Sequence, residues 1–134
     1  MVLLAKVLQM HDRNRFEVFF YGFSPKKSDP LRERIIAAVD VYDDVLQMRD
    51  IDIAHLARQD GIDIAIDLNG YTENSRSGIF AHRAAPVQIS YLGYPGSMGA
   101  DFIDYIFDDK NLIPESSQVN YSEKPIYLPH HYQA

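Results

Sequence analysis

The chain has 134 residues, 46% of them hydrophobic, and 13 Lys plus Arg against 19 Asp plus Glu give a formal charge of −6. That length and composition suit one folded domain and exclude a disordered chain, while the acidic balance argues against a non-specific nucleic-acid or anionic-membrane binder. The absence of cysteine removes a disulfide framework, a thiol nucleophile and a Cys-ligated zinc site, and fits a reducing, cytoplasmic setting.

The first element, residues 2–10, reads as a helix with little polar face. Lys6 interrupts its apolar start and no small-residue cleavage site follows, so a signal peptide is not expected in this stretch. No apolar run approaches the ~20 residues that span a bilayer. A polar break at residues 11–14 precedes a strand at 16–21, rich in β-branched and aromatic residues. Asp29 caps the next helix, with Pro30 at its first position and Leu31, Ile35, Ile36, Ala38 and Val39 at helical spacing. A short strand at 41–45 follows. Asp50 or Asp52 opens a helix that Gly61 stops, and a strand runs over 62–67. Further on, the pattern predicts a helix at 76–84, a strand at 87–92, a helical turn at 97–102 and a strand at 103–107. The tail, 111–134, reads as loop with a strand near 125–128. This alternation predicts an α/β fold with a parallel sheet and crossover helices. An open parallel sheet should begin with a strand. The apolar first helix and the linker-like Pro129-His130-His131-Tyr132 therefore carry the expectation that both ends are cut.

Ligands in open parallel sheets sit beyond the carboxyl ends of the strands, and two loops qualify. The first is Asp67-Leu68-Asn69-Gly70-Tyr71-Thr72. The second is Leu92-Gly93-Tyr94-Pro95-Gly96-Ser97-Met98-Gly99, with three glycines and a proline in eight residues. Such a loop exposes main-chain groups that suit a sugar or a phosphate, or else forms an ordinary surface turn. It lacks the lysine of a P-loop and does not match GxGxxG. Asp50-Ile51-Asp52 has the spacing of a metal-binding DxD motif, but acids at a helix N-terminus have a dipole reason to be there, and no metal is expected. Asp108-Asp109-Lys110 follows a strand and either faces a site or, the favoured reading, forms a solvated turn. His11, His55, His82, His130 and His131 show no metal-ligand spacing, and no serine lies in a GxSxG elbow.

Four stretches, FEVFFYGFSP from Phe16, DGIDIAIDLNGYT from Asp60, APVQISYLGYPGSMGADFIDYIFDD from Ala85 and YSEKPIYLPHHYQ from Tyr121, resemble the catalytic region of the O-linked N-acetylglucosamine transferases of the SPINDLY type. The resemblance covers nearly the whole chain and keeps the family's order and spacing. It implies an inverting, metal-independent glycosyltransferase of GT-B architecture, in which two Rossmann-like halves face each other. UDP-N-acetylglucosamine is the donor substrate, Ser or Thr of a protein or peptide the acceptor, and no cofactor is needed. Tetratricopeptide repeats usually precede the catalytic region. On this reading residues 1–134 are a partial N-terminal catalytic lobe without its first strand, and the tail leads toward a second lobe that holds most of the UDP contacts. The catalytic residues then lie outside this sequence, and the isolated chain is expected to be inactive.

Residue by residue, the resemblance places Leu92 and Gly93 in the donor-sugar pocket, with Tyr94, Pro95 and Gly96 setting the shape of that loop. It places Asn69, Gly70, Tyr71, Thr72 and Arg76 on the acceptor side of the cleft. Glu73 stands where animal enzymes have lysine and Asp63 where they have histidine, which puts animal-type acceptor preference in doubt. A bulky residue at Gly93 is expected to abolish transfer and leave folding intact. The rival expectation is a non-enzymatic α/β domain that binds a protein partner or a nucleotide sugar.

Overall fold

The computed structural model describes residues 2–25 and 29–133, and of the side chains of Val2 and Leu3 nothing is said. In chain order the elements are α1 (Val2–Met10), β1 (Phe19–Gly22), α2 (Pro30–Ala38), β2 (Val41–Asp44), α3 (Asp50–Gln59), β3 (Ile64–Asp67), α4 (Gly78–Ala81), β4 (Val87–Ser90), β5 (Tyr105–Asp108), a 3-10 helix (Glu115–Asn120) and β6 (Lys124–Tyr127). Every strand pairing is parallel, as the alternation predicts. The strands form two sheets, β1-β2 and β3-β4-β5-β6, in two compact units, residues 1–48 and 49–133. No helix among the described residues is long and apolar enough to cross a membrane.

In the first unit α1 finds its partner in α2. Ala5, Ile35 and Val39 are buried together, with Leu8, Val18, Phe20, Leu31 and Tyr42 packed around them. The Phe20 and Tyr42 rings stack at 5.8 Å across the β1-β2 pair. Asp29 caps α2 as expected, its side chain accepting from the Leu31 N–H at 2.9 Å. β1 begins three residues later than the composition suggests. Residues 12–16 form a turn in which the Arg15 and Phe16 amides donate to the Asp12 carbonyl, and Asp40 accepts the Val18 N–H at 2.7 Å. The amide of Val18 is therefore taken before the ladder opens at Phe19. That bond and the Arg13 guanidinium hold the Asp40 carboxyl below the usual aspartate range.

The second unit holds the two candidate loops. α3 ends where Gly61 adopts a φ of +72°, as its place after Asp60 predicts. The predicted helix at 76–84 shrinks to the single turn of α4, because Arg83 takes a φ of +54° and cannot continue it. The predicted helical turn at 97–102 is irregular chain, so β4 connects to β5 through residues 91–104 without a crossover helix. The 3-10 helix is absent from the sequence reading, whose apolar-periodicity test has nothing to grip in Glu-Ser-Ser-Gln-Val-Asn.

Gln88 braces this connection. It is fully buried on β4, and its Nε2 donates to the carbonyls of Phe80 and Phe102 at 2.9 and 2.7 Å. Its Oε1 accepts from the Ala84 N–H at 2.8 Å. One amide thus satisfies three main-chain groups from segments on either side of β4. Replacing Gln88 by Leu leaves the Ala84 amide and the Phe102 carbonyl unpaired, while the Phe80 carbonyl keeps the Arg83 amide. Gln88→Leu is expected to lower the unfolding free energy by at least about 2 kcal/mol, read from the midpoint of urea unfolding.

Candidate functional site

The site is assembled at the carboxyl ends of β3 and β4. The strands lie in register, Asp67 opposite Ser90, and the Tyr91 N–H still donates to the Asp67 carbonyl at 2.9 Å. Past that bond both chains turn. Asp67 is buried, and its Oδ1 accepts the Asn69 and Gly70 amides at 2.9 and 3.1 Å. This side-chain turn lets Gly70 take a φ of +57°. On β4 the bend is sharper. The Gly93 N–H reaches back two residues to the Tyr91 carbonyl at 3.0 Å, a γ-turn centred on Leu92, whose φ is +76°. A leucine in the left-handed region is strained. Of the three glycines in this loop Gly99 alone takes a positive φ, +59°, and the sharp bend at its start falls on the leucine.

Gly93 serves another purpose. A Cβ there would meet the Leu68 carbonyl oxygen at 2.2 Å and the Asn69 Cα at 2.8 Å, and a Cβ on Gly70 would meet the Tyr94 Cβ at 2.5 Å. The two loops therefore interlock main chain to main chain. Tyr71 and Tyr94 pack edge to face at 5.7 Å, and the Tyr71 hydroxyl donates to the Met98 carbonyl. The Tyr94 ring lies over Gly96, so a Cβ there would meet its hydroxyl at 2.8 Å. Gly93, Pro95, Tyr71 and Thr72 are exposed, whereas Leu92, Tyr94, Gly96 and Asn69 are half-buried and Gly70 is buried. Gly93→bulky is consequently no clean probe of transfer, since any side chain collides with the neighbouring backbone and displaces both loops.

The structure thus brings together Asn69, Gly70, Tyr71, Leu92, Gly93, Tyr94 and Gly96. Arg76 is engaged elsewhere, its Nε donating to Asp50 at 2.8 Å and its Nη2 lying 2.6 Å from the same carboxylate at the start of α3. Asp52 pairs instead with Arg49 at 2.7 and 3.0 Å, so the two carboxylates of the Asp50-Ile51-Asp52 stretch turn to different arginines.

Asp108 and Asp109 are not the solvated turn that the sequence suggests. Both are buried. Asp109 accepts the amides of Asn111, Leu112 and Tyr132 at 2.8, 3.1 and 2.9 Å, which organises the chain on leaving β5 and holds its carboxyl below the usual range. Register places Asp67, Ser90 and Asp108 on one face of the sheet, because Ser90 pairs with Ile106 and Asp108 follows two residues on. Each keeps one buried oxygen without a hydrogen-bond partner among the described residues: Asp67 Oδ2, Ser90 Oγ and Asp108 Oδ2. Sequence reasoning misses this polar floor, because the face of a strand residue is fixed only by the register of its neighbours.

A fold of parallel strands with two interlocked loops at their carboxyl ends defines an α/β lobe of the kind found in glycosyltransferases. The description glycosyl transferase family 41 matches residues 2–134, and the chain belongs to that family. It is 42% identical over 130 residues to an Arabidopsis thaliana protein named probable UDP-N-acetylglucosamine–peptide N-acetylglucosaminyltransferase SEC, covering 97% of this chain and 13% of the relative. It is 39% identical to the Caenorhabditis elegans UDP-N-acetylglucosamine–peptide N-acetylglucosaminyltransferase, covering 96% of this chain and 11% of that one. A solved structure of a Thermobaculum terrenum O-GlcNAc transferase mutant superposes with a TM-score of 0.94 at 36% identity, over 98% of this chain and 25% of that one. The chain therefore spans about an eighth of these curated relatives' length and a quarter of the solved chain.

Two outcomes test this geometry. Leu92→Gly keeps the left-handed turn and should melt near the wild-type temperature, whereas Leu92→Val, β-branched where φ is positive, should cost about 1–2 kcal/mol, as read by thermal unfolding. Burial raises the Asp108 carboxyl above the usual range. The folded state therefore holds this proton to higher pH than the unfolded chain does, and stability falls as pH rises through that window. The stability of Asp108→Asn relative to wild type should improve as pH rises above the usual aspartate range, the variant having no charge to bury.

Proposed function

We propose that this chain is part of a UDP-sugar-dependent protein O-glycosyltransferase, which moves N-acetylglucosamine from UDP to Ser or Thr of a protein. In this reading residues 1–134 are a partial N-terminal lobe of a GT-B enzyme. The observation that carries it is the interlocked pair of strand-end loops in a chain that family 41 matches from residue 2 to residue 134. Leu92, Gly93, Tyr94, Pro95 and Gly96 form the donor-sugar side. Short loops with bare main chain supply the several small polar contacts that sugar hydroxyls require. Asn69, Gly70, Tyr71 and Thr72 form the acceptor side. Arg76 serves that side through its hold on Asp50 rather than by direct contact.

The reaction is a direct displacement at the anomeric carbon. The acceptor oxygen forms the new bond on the face opposite the departing UDP, its proton passes to a base, and the configuration inverts. Charge on the leaving diphosphate is met by cationic side chains and helix N-termini instead of a metal. Those groups and the catalytic residues belong to the parts of the enzyme beyond this chain: a second lobe, with tetratricopeptide repeats upstream. The 134 residues alone are inactive.

The test is transfer by the full-length enzyme. Incubation with UDP-N-acetylglucosamine and a Ser/Thr peptide pool should add one N-acetylhexosamine to intact peptide mass, with or without a chelator, while the 134-residue chain alone adds none. Loss of transfer on chelation would overturn metal independence, and turnover by the isolated chain would overturn its role as a partial lobe. No mass gain from any UDP-hexose would favour the rival reading as a binding domain.

A further inference from the structure

The segment Tyr121-Ser122-Glu123, immediately before β6, grips the donor-side loop from the far side of β5. Glu123 is 2% exposed. Its Oε1 accepts the Met98 N–H at 2.6 Å and its Oε2 accepts the Ser97 hydroxyl at 2.7 Å. Ser97 Oγ in turn accepts the Gly99 N–H at 3.0 Å and the Ser122 N–H at 3.3 Å, and the Tyr121 hydroxyl donates to the Pro95 carbonyl at 3.1 Å. Among the described residues no Lys or Arg forms an ion pair with Glu123. A buried carboxylate is costly unless its oxygens are satisfied, and both partners of this one lie in a single loop. The grip does not stop at that loop. Met98 is buried, its carbonyl accepts the Tyr71 hydroxyl, and its sulfur lies 3.4 Å from where a Gly70 Cβ would stand.

We propose that Glu123 is a positioning residue for donor binding: it fixes the loop from Leu92 to Gly99 through the Met98 amide and the Ser97 hydroxyl, and through Met98 it sets the loop carrying Tyr71. This rests on the transferase reading above. Two short, charge-assisted bonds hold a segment that has no helix or strand to hold it. A loop whose turn is strained at Leu92 keeps its shape only if its distal end is tied down. Nothing here requires Glu123 to touch the sugar.

The experiment uses the full-length enzyme with UDP-N-acetylglucosamine and an acceptor peptide, in wild type, Glu123→Ala, Glu123→Gln and Ser97→Ala. Glu123→Ala leaves the Met98 amide unpaired and should raise the donor KM about tenfold or more, with a smaller change in kcat. Glu123→Gln still accepts from Met98 through its remaining carbonyl oxygen but loses the Ser97 bond, because Ser97 Oγ already accepts the Gly99 and Ser122 amides. It should therefore recover part of the donor affinity, as should Ser97→Ala, which also keeps the Met98 bond. Hydrogen exchange at residues 97–99 should quicken in Glu123→Ala while the amides of β4 and β5 stay protected. Unchanged donor KM with unchanged exchange at 97–99 would overturn the inference. So would an equal loss in Glu123→Gln and Glu123→Ala accompanied by faster exchange throughout the sheet, which marks a merely structural role. If the wild type transfers no sugar, the transferase reading fails on its own, and the exchange at 97–99 still decides whether Glu123 holds the loop.

Discussion

The contact on which the site depends is the approach of two main chains at Gly93. With the Leu68 carbonyl oxygen 2.2 Å from where a side chain would begin, the loops after β3 and β4 form a single interlocked ridge. The parallel ladder brings them side by side, Asp67 opposite Ser90, and each loop then turns by its own device. Asp67 folds its carboxylate over two amides, while Leu92 accepts a left-handed backbone. The strain at Leu92 persists because the surroundings over-determine it. The chain is pinned to the Asn69 loop on one side and to Glu123 on the other.

Polar burial runs through the same region. Gln88, Asp67, Ser90, Asp108, Asp109 and Glu123 are all buried, and all belong to the second unit. Most of them satisfy main chain that has no helix or strand to satisfy it. Gln88 serves three carbonyl and amide groups, Asp109 three amides and Glu123 one amide. The connection from β4 to β5 is irregular and that from β5 to β6 holds only a short 3-10 helix, so side chains take over the work that an α-helical crossover would do internally. A binding loop needs irregular chain to expose its backbone, and these buried amides and carboxylates are what keep such chain in one shape.

Local chemistry made much of the fold legible. Asp29-Pro30 opens α2, Gly61 ends α3 and the β-branched and aromatic runs fall on strands, because caps, left-handed glycines and strand propensity act over a few residues. Expectation fails where distant residues decide. The helix expected at 76–84 stops after one turn because Arg83 leaves helical backbone and its guanidinium grips Asp104 at 2.6 Å, twenty-one residues on. The helical turn expected at 97–102, by contrast, does not form because Gly99 takes a φ of +59° in its middle, which leaves only a tight turn closed by the Ile103 amide on the Ala100 carbonyl.

By itself the sequence determined the alternation of strands and helices, the family, and which loops stand at the strand ends, since each depends on short-range pattern and on motifs kept in order. It supplied the glycines of the loop after β4 but not their use. Only the tertiary structure decided that Gly93 is small to admit another backbone, that Leu92 carries the turn, that Arg76 faces Asp50 and that Asp108 is buried. The physical reason is common to all four. Burial, close approach and pairing are properties of two segments brought together, and strand register fixes which residues meet.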